Sequence, residues 1–464
     1  MGVELHEVQG NVLAGYGPDF PRASFRFCRI DDADAARAWL TTLLPAVTTA
    51  APWPDTEKPS RTLNVALSST GLEALGMPPA ALAALPAEFR AGMAARAGHL
   101  CDRDEDAPDR WQEGLDDRVA QLVVTVHVRS ADPAVLAAAV GETAPPPGVT
   151  VLHDQHTAML TGGREHFGFS DGLAQPAIDD DVAGPYHGTG TPGRRRRRVG
   201  RWAKLQPGEF ITGYPDEDAD TPGGPPPLDR NATYMVIRKL DQHVGAWERQ
   251  VHRWAGGDPA LAEALAAQVV GRWRNGTPVE RSPHAPDPRL DDPAPPATPA
   301  ARAERFALLN DFGYAGGRAD PRCPAGAHIR RANPRDAFGD GRLARRHRIV
   351  RRGMPYGPEV ADADRLTERD EVERGLFFVC YQASITRQFE LIQREWLRDG
   401  DAFGLGRQND PLLSPGDPDG RLIAHHRGDP RLLTPYERSV TLRGGGYFVV
   451  PSRSALAALA TPPH

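Results

Sequence analysis

Hydrophobic residues recur along the first half of the chain in an order that predicts strand, helix, strand, strand, helix and strand. Alternating apolar positions or β-branched runs indicate the strands, and apolar spacings of three and four indicate the helices. Asp32 and Asp132-Pro133 mark the helix starts, because aspartate caps a helix N-terminus and proline fits its first turn. The elements are predicted at residues 23–30, 32–44, 63–68, 119–128, from 132 onward and 149–153.

The second half of the chain repeats the same order of elements. Each half therefore follows the βαββαβ order of a ferredoxin-like domain. We predict an α+β protein in which two ferredoxin-like domains face each other as a dimeric α+β barrel within one chain. The second set is predicted at residues 233–238, 244–254, 347–352, 376–381, 384–397 and 447–450.

A proline-rich connection at residues 215–228 predicts the boundary between the halves, giving domains at 1–220 and 221–464. The second half is interrupted by an insertion at about residues 256–346. Loops of that length inside a compact domain are usually functional or disordered. A histidine motif within the insertion favours function.

Composition is that of an ordinary globular protein, with 40% hydrophobic and 25% charged residues among 464. The net charge of −6 gives no general attraction to nucleic acid or anionic lipid, and we interpret the arginine run at 194–198 as a solvated loop. The chain begins without a recognisable secretory signal and contains no apolar stretch of ~20 residues. We therefore expect a cytoplasmic protein with neither nucleic-acid nor membrane partners.

The four cysteines are scattered without C-x-x-C spacing. This argues against a structural zinc site, an iron–sulfur cluster and a disulfide scaffold. Without a C-x-x-C-H sequence, any haem would also be bound without thioether links.

Three motifs supply one acid, one imidazole and one guanidinium group. They are GFSDG at 168–172 with Asp171, CPAGAH at 323–328 with His328, and RRGMPYG at 351–357 with Arg351. A ferric haem that reacts with peroxide needs an imidazole below the iron, and above it a carboxylate that carries a proton and a fixed cation. Together the motifs point to haem peroxidase chemistry.

With further blocks at 9–12, 166–176, 374–382 and 444–451, the chain resembles the dye-decolourising peroxidase family over nearly its whole length. The resemblance implies non-covalent haem b, hydrogen peroxide as oxidant, and dyes, phenols and other aromatic compounds as one-electron donors. It also implies the dimeric α+β barrel. The oligomeric state and the physiological donor stay open.

The resemblance also implies roles for individual residues. His328 would be the axial iron ligand, Asp171 the distal proton carrier and Arg351 the distal cation, while Leu376 and Phe378 would roof the distal pocket. The residues alone leave alternatives, since Asp171 suits an ordinary Asx turn and Leu376 with Phe378 suits any core strand. Some family members carry Asn two positions after this arginine. This chain has Gly there.

Residues near His328 suggest how a haem would be held. The small residues at 325–327 would let a flat cofactor approach the backbone, and Arg330, Arg331 and Arg335 could pair with its propionates. An axial histidine usually donates its second ring nitrogen to an acceptor, for which Asp410 is the candidate. A turn aspartate would look the same.

Strand alternation separates Arg351 from its rival Arg352, because Ile349 and Arg351 would share one face and Val350 and Arg352 the other.

Other histidines compete with His328 for the iron. His166 is the serious rival, whereas His153 and His156 lack comparable motifs. However, His166 lies on the same short loop as Asp171, and one loop cannot easily supply both faces of a planar cofactor.

Alternatives to the peroxidase reaction also stay open. The same fold could support Mn-dependent or oxygenase-like oxidation or release of haem iron, or the protein could carry haem without catalysis. Aromatic side chains could relay electrons from bulky donors, although each also suits plain packing. The candidate relays are Tyr356, Tyr381, Trp396 and Tyr447.

Overall fold

The structure is a computed structural model of the chain. It describes residues 2–53, 58–178, 204–292, 294, 298–315, 322–338, 341–413 and 419–462. The arginine run at 194–198 lies outside the described residues.

The strands of the described residues follow both predicted sets and add three. They are β1 (Arg22–Ile30), β2 (Arg61–Leu67), β3 (Leu122–Val128), β4 (Val149–Ala158), β5 (Thr233–Gln242), β6 (Val350–Arg351), β7 (Met354–Tyr356), β8 (Gly375–Gln382), β9 (Leu422–His426), β10 (Asp429–Leu433) and β11 (Val440–Val450).

The helices are α1 (Gly10–Leu13), α2 (Ala33–Leu43), α3 (Ser69–Ala74), α4 (Pro79–Ala84), α5 (Ala87–Ala91), α6 (Ala97–Leu100), α7 (Pro133–Glu142), α8 (Val244–Trp254), α9 (Pro259–Val270), α10 (Pro299–Asn310), α11 (His328–Ala332), α12 (Arg342–Arg345) and α13 (Arg453–Leu459). Two π-helical segments, Ile385–Glu390 and Ile392–Arg398, occupy the predicted helix at 384–397.

The main sheet has the order β4-β1-β3-β2-β11-β5-β8-β6, with β7 also paired to β8. Within each half, the fourth, first, third and second strands are neighbours. The halves join where β2 meets β11, at Leu67 and Val449. At the far ends, Thr157 of β4 donates a hydrogen bond to the sulfur of Met354 in β7 at 3.6 Å. This confirms the predicted α+β barrel, whereas the domain boundary at 220/221 stays a prediction.

Strand alternation fills the barrel and also creates an outer surface for a site. Phe25 of β1 and Phe377 of β8 meet inside the barrel with ring centroids 4.7 Å apart, and Val379 joins the same core. The intervening residues Leu376 and Phe378 face the other way. The outer face of β8 is therefore free to form the wall of a cavity.

Helix starts follow the predicted caps. Asp32 accepts hydrogen bonds from two backbone amides of α2, and Asp132 accepts one from α7. The prediction that the insertion is one long loop is wrong. The insertion contains α9 and α10. Asp258 caps α9 directly before a proline, which is the same signal that marked α7.

The strand predicted at 347–352 is shorter than expected and covers only Val350–Arg351. Residues 347 and 348, just before this strand, hydrogen-bond to the π-helical segment instead of to a strand. The Arg348 carbonyl accepts a hydrogen bond from Gln388, and Nδ1 of His347 bonds the Arg387 carbonyl. These contacts turn His347 and Arg348 toward the interior.

Asp117 ties the loop before β3 to β11. Its Oδ2 accepts hydrogen bonds from the backbone amides of Met93 at 2.8 Å and Tyr447 at 2.7 Å. The residue is only 3% exposed. Burial raises the pKa of Asp117 from 3.8 to about 7, although the two amides oppose the shift.

We predict that Asp117 destabilises the protein as the pH rises. Because the pKa is raised on folding, its contribution to stability is complete below about pH 4 and is lost as the pH approaches 7. Asp117→Asn mimics the protonated acid, so variant and wild type should be equally stable at pH 4. Near pH 8 the wild type should be less stable, by on the order of 4 kcal/mol.

Denaturation of both proteins across this pH range checks the prediction. Glu113→Gln is the matched control, because Glu113 is an exposed carboxylate on the same loop and should leave the pH dependence intact. A wild-type-to-Asp117→Asn difference that stays constant with pH would contradict the assignment.

Candidate active site

A cavity of about 280 Å³ lies beside the outer face of β5 and β8, under helices of the insertion. Its wall combines apolar side chains with several charged groups. The sequence-predicted members of the wall are Asp171, His328, Arg335, Arg351, Leu376 and Phe378, and residues not predicted include Glu165, Arg272, Arg348, Phe389 and Leu412.

His328 is the first residue of α11 and faces this cavity. Its Nδ1 lies 2.6 Å from Oδ2 of Asp410, whose side chain is fully buried. Burial lowers the pKa of His328, but the charge and hydrogen bond of Asp410 outweigh it and raise the pKa overall. Because Asp410 engages Nδ1, Nε2 is the nitrogen directed to a ligand in the cavity.

The small residues before His328 serve packing rather than cofactor approach. Ala325, Gly326 and Ala327 are not among the described residues that line the cavity. A Cβ at Gly326 would meet Leu422 of β9 at 2.5 Å. A larger residue there would make the Leu422 side chain shift, so Gly326 gives the β9 hairpin room to approach.

Asp171 and Arg351 face each other at the cavity, with Oδ1 and Nη1 3.3 Å apart. Asp171 Oδ1 also accepts a hydrogen bond from the Gly172 amide at 2.6 Å. Gly172 has a φ of 73° and Gly168 a φ of 89°, so both positions favour glycine. The Arg351 amide donates to Oε1 of Gln175 at 3.0 Å, which links the two motifs.

Arg351 and Arg352 point to opposite sides, as strand alternation predicts. Ile349 and Arg351 line the cavity, whereas Val350 enters the barrel core. Arg352 donates to the carbonyls of Asn11, Val12 and Leu13 in the N-terminal segment. The rival arginine thus holds the N-terminus rather than the cavity.

Arg272, Arg335 and Arg348 line the cavity close enough to feel one another's charge, and we call these three residues the arginine corner. They are 5%, 3% and 6% exposed. Burial lowers the pKa of Arg272 to about 9 and of Arg335 to about 10, and it lowers that of Arg348 well below its ordinary value. Nη1 of Arg348 has no hydrogen-bond partner among the described residues. Arg272 and Arg335 donate hydrogen bonds to backbone carbonyls, so Nη1 of Arg348 is the group of the corner that suits a bound anion.

Arg330 and Arg331 do not join this corner, which corrects the sequence interpretation. Arg330 donates to the Cys323 carbonyl and lies over the Tyr314 ring, and Arg331 donates to the Trp396 carbonyl. Arg330 lies two positions after His328, ~200° around the helix, and so points away from it. Arg331 is held away from the cavity by its hydrogen bonds to the carbonyls of Trp396, Asp399 and Gln408. Arg335 comes after α11 and is placed separately.

The rival histidine His166 is 1% exposed, and its Nε2 bonds the Tyr356 carbonyl at 2.8 Å. It is not among the described residues that line the cavity, and neither are His153 and His156. Burial lowers the pKa of His166 to about 4.

A second, wider cavity of about 1040 Å³ meets the first at the Asp171–Arg351 pair. Both cavities are lined by Asp171, Gly172 and Arg351. The pair consequently stands between the two spaces and can contact a small molecule arriving from the wider one.

The described residues contain no cluster of three or more His, Cys, Asp or Glu arranged to hold a metal ion. Within the same residues, no helix is both long and apolar enough to cross a membrane.

Two family models match the chain: the DyP dimeric alpha+beta barrel domain at residues 7–140 and the C-terminal Dyp-type peroxidase domain at 216–404. A dye-decolorizing peroxidase of Mycetinis scorodonius is 30% identical, with 98% of this chain and 87% of the relative covered. The chain belongs to the dye-decolourising peroxidase family. A multifunctional dye peroxidase of Amycolatopsis is 28% identical, with 98% of this chain and 96% of the relative covered.

Solved structures agree with this membership. An ancestral D-type dye-decolorizing peroxidase superposes with a TM-score of 0.80 at 28% identity, covering 98% of this chain and 99% of that one. A dye-decolorizing peroxidase in complex with 2,6-dimethoxyphenol gives 0.79 at 25% identity, covering 99% and 100%. The protein is therefore a peroxidase of the dye-decolourising type.

Membership implies a haem cofactor, and the cavity fits one. His328 presents Nε2 to the cavity, apolar side chains such as Leu376 and Phe378 suit a flat macrocycle, and the arginine corner suits carboxylates. Arg348 is the strongest sign, because its buried Nη1 has no hydrogen-bond partner among the described residues and a propionate would supply one.

We predict that Arg348→Met weakens binding of ferric protoporphyrin IX to the apoprotein by roughly ten- to a hundredfold, the value of a charge-assisted hydrogen bond. Binding of its dimethyl ester, which carries no propionate charge, should be unchanged. Arg330→Met is the control and should bind both forms as the wild type does. Equal losses for the acid and the ester in Arg348→Met would show that Arg348 does not hold a carboxylate.

Proposed function

We propose that this enzyme uses non-covalently bound haem b to reduce hydrogen peroxide and to oxidise dyes, phenols and other aromatic donors in one-electron steps. The observation that carries the proposal is the meeting of His328–Asp410 and Asp171–Arg351 at one cavity. His328 arrives from α11 and Arg351 from β6. An axial ligand and a distal pair thus come from separate elements, as a planar cofactor requires.

Bound haem would supply the iron that binds peroxide and accepts its oxidising equivalents. Asp171 would take a proton from one oxygen of the bound peroxide and return it to the other, which could then leave as water. Arg351 donates hydrogen bonds to the oxygen on which negative charge develops. Some family members have asparagine where this chain has Gly353. The proposed reaction with peroxide therefore rests on Asp171 and Arg351.

Asp410 and His328 perform a different task. The 2.6 Å hydrogen bond fixes the ring orientation and the tautomer, so that Nε2 is the ligating nitrogen. The buried carboxylate also increases electron donation from the imidazole. Leu376 and Phe378 exclude water from the neighbouring wall.

The aromatic residues considered as electron relays are all buried. Tyr356, Tyr381, Trp396 and Tyr447 are 3%, 1%, 6% and 0% exposed. None of them offers an exposed surface ring to a bulky donor, although Tyr381 lines the wider cavity. The hydroxyls of Tyr356, Tyr381 and Tyr447 are hydrogen-bonded to Asp241, Asn11 and Glu390, respectively. Small donors are therefore proposed to enter through the wider cavity, and the route for large dyes stays open. The cytoplasmic location likewise stays a prediction.

We predict that Asp171→Asn retains haem but reacts with hydrogen peroxide roughly 10²- to 10⁴-fold more slowly, because a positioned proton carrier contributes that much. Stopped-flow absorbance of the haem band measures the reaction, and the pyridine haemochrome assay measures haem content. A non-catalytic haem carrier would not need this aspartate. An Asp171→Asn protein with the wild-type peroxide rate would contradict the proposed proton transfer.

A second prediction separates the adjacent arginines. Arg351→Leu should slow the peroxide reaction roughly 10²- to 10³-fold at unchanged haem occupancy, since it removes a donor to developing charge. Arg352→Leu should lower thermal stability, because three backbone carbonyls lose their donor, and the folded fraction should react normally. If Arg351→Leu and Arg352→Leu lost the same peroxide reactivity per bound haem, the opposite orientation of the two side chains would be contradicted.

A further inference from the structure

The loop that carries Asp171 is folded around the carboxylate of Glu165. Oε1 of Glu165 accepts a hydrogen bond from the Phe169 amide at 2.9 Å, and Oε2 accepts one from the Phe167 amide at 2.9 Å. The backbone closes the same turn, because the Glu165 amide donates to the Phe169 carbonyl at 3.0 Å. One side chain therefore spans the residues just before Asp171.

Gln242 connects this carboxylate to the barrel. Its Nε2 donates to Oε2 of Glu165, and its own backbone pairs with Val440 at the end of β5. A carboxylate accepts all three hydrogen bonds through its two oxygens, which carry about four acceptor sites when the group is ionised. A glutamine would turn its amide group toward one of the donors, and an aspartate would be one methylene too short.

The position of Asp171 depends on this turn. Ser170 is held through its amide and hydroxyl, which both donate to the Arg274 carbonyl at 3.0 Å, and the Asp171 amide donates to Gly163 at 3.2 Å. The Asp171 side chain itself is 35% exposed and contacts Arg351. The backbone of the loop therefore sets the position of the Asp171 side chain.

Glu165 also lines the cavity but has no part in the proposed proton transfer. Burial raises the pKa of Glu165, and the amides of Phe167 and Phe169 with Gln242 oppose that shift. Burying an ionisable carboxyl group costs free energy of folding unless its hydrogen bonds compensate for the lost water. Neighbouring arginines support the loop from outside, since Arg274 donates to the Phe167 carbonyl and Arg365 to that of His166.

We propose that Glu165 is the positioning residue of the distal acid, holding residues 167–169 in the turn that presents Asp171 to the cavity. The inference rests on the proposed function, because it assumes that Asp171 moves the peroxide proton. It adds a carboxylate that never touches peroxide and acts through the backbone.

The test is a double-mutant cycle with Glu165→Gln, Asp171→Asn and the double variant, all as holoenzymes. The second-order rate with hydrogen peroxide should fall roughly ten- to a hundredfold in Glu165→Gln, the effect of a displaced catalytic group. In the Asp171→Asn background, Glu165→Gln should cause no further loss, because the residue acts through Asp171. Haem content should stay that of the wild type.

Hydrogen exchange of the peptide covering residues 165–172 gives a readout independent of activity. The amides of Phe167 and Phe169 should exchange faster in Glu165→Gln in either background. Glu359→Gln is the matched control, since Glu359 accepts hydrogen bonds from Thr161 near the loop but stands at the surface. It should leave the peroxide rate and the exchange of residues 165–172 unchanged.

Two outcomes would overturn the inference: a wild-type peroxide rate in Glu165→Gln, or a loss that multiplies with that of Asp171→Asn. The second outcome would mark Glu165 as a general structural residue. If Glu165→Gln does not fold, Glu165→Asp enters the same cycle, because it keeps the charge and shortens the reach. A wild-type rate in Asp171→Asn would instead overturn the proposed function.

Discussion

Arg272, Arg335 and Arg348 bring buried positive charge to one cavity, and a bound anion would meet that charge. The three arginines come from the segment just after α9, the segment after α11 and the segment before β6. Buried charge is costly unless it is compensated, so an anionic cofactor group bound there would stabilise the folded insertion by mass action. Folding and cofactor binding would thereby be linked at this corner.

The barrel supplies the rigid side of the site. Phe377 and Val379 of β8 fill the barrel core, while Leu376 and Phe378 of the same strand face the cavity. Any slip in register would exchange the two sets and remove the cavity wall. The β8 ladder to β5 runs from Tyr234–Gln382 to Asp241–Gly375, and this long pairing fixes the register. That pairing fixes the position of the cavity wall, and residues of the flanking loops supply the charged groups of the site.

The sequence predicted the repeated βαββαβ order because period-two and period-3.6 patterns are local properties of strands and helices. His328, Asp171 and Arg351 were nominated by motif, and the structure brings them to one cavity. Asp410 was nominated as the acceptor for His328 and lies at its Nδ1. That Arg352 points away from the cavity lined by Arg351 followed from strand alternation. Local signals were present also for α9, whose Asp258-Pro259 start was overlooked within the insertion.

Other features could not be read from the sequence. Arg330 was assigned to the cofactor because it lies near His328, but a side chain's direction on a five-residue helix depends on what packs around it. Arg348 lies beside the cavity because residues 347 and 348 do not continue the strand β6. Instead they hydrogen-bond to Gln388 and Arg387, which are distant in the sequence. Glu165 gave no motif signal, since its partners are backbone amides of its own loop and Gln242 from another half of the chain.

The central claim is that His328 binds the iron and that the arginine corner receives the propionates. Anomalous diffraction at the iron absorption edge from crystals of the holoenzyme tests both at once. The account predicts a single strong peak in coordination contact with Nε2 of His328, with the propionate edge of the macrocycle against Arg348. A peak beside His166, or a macrocycle whose propionates point away from Arg348, would contradict it.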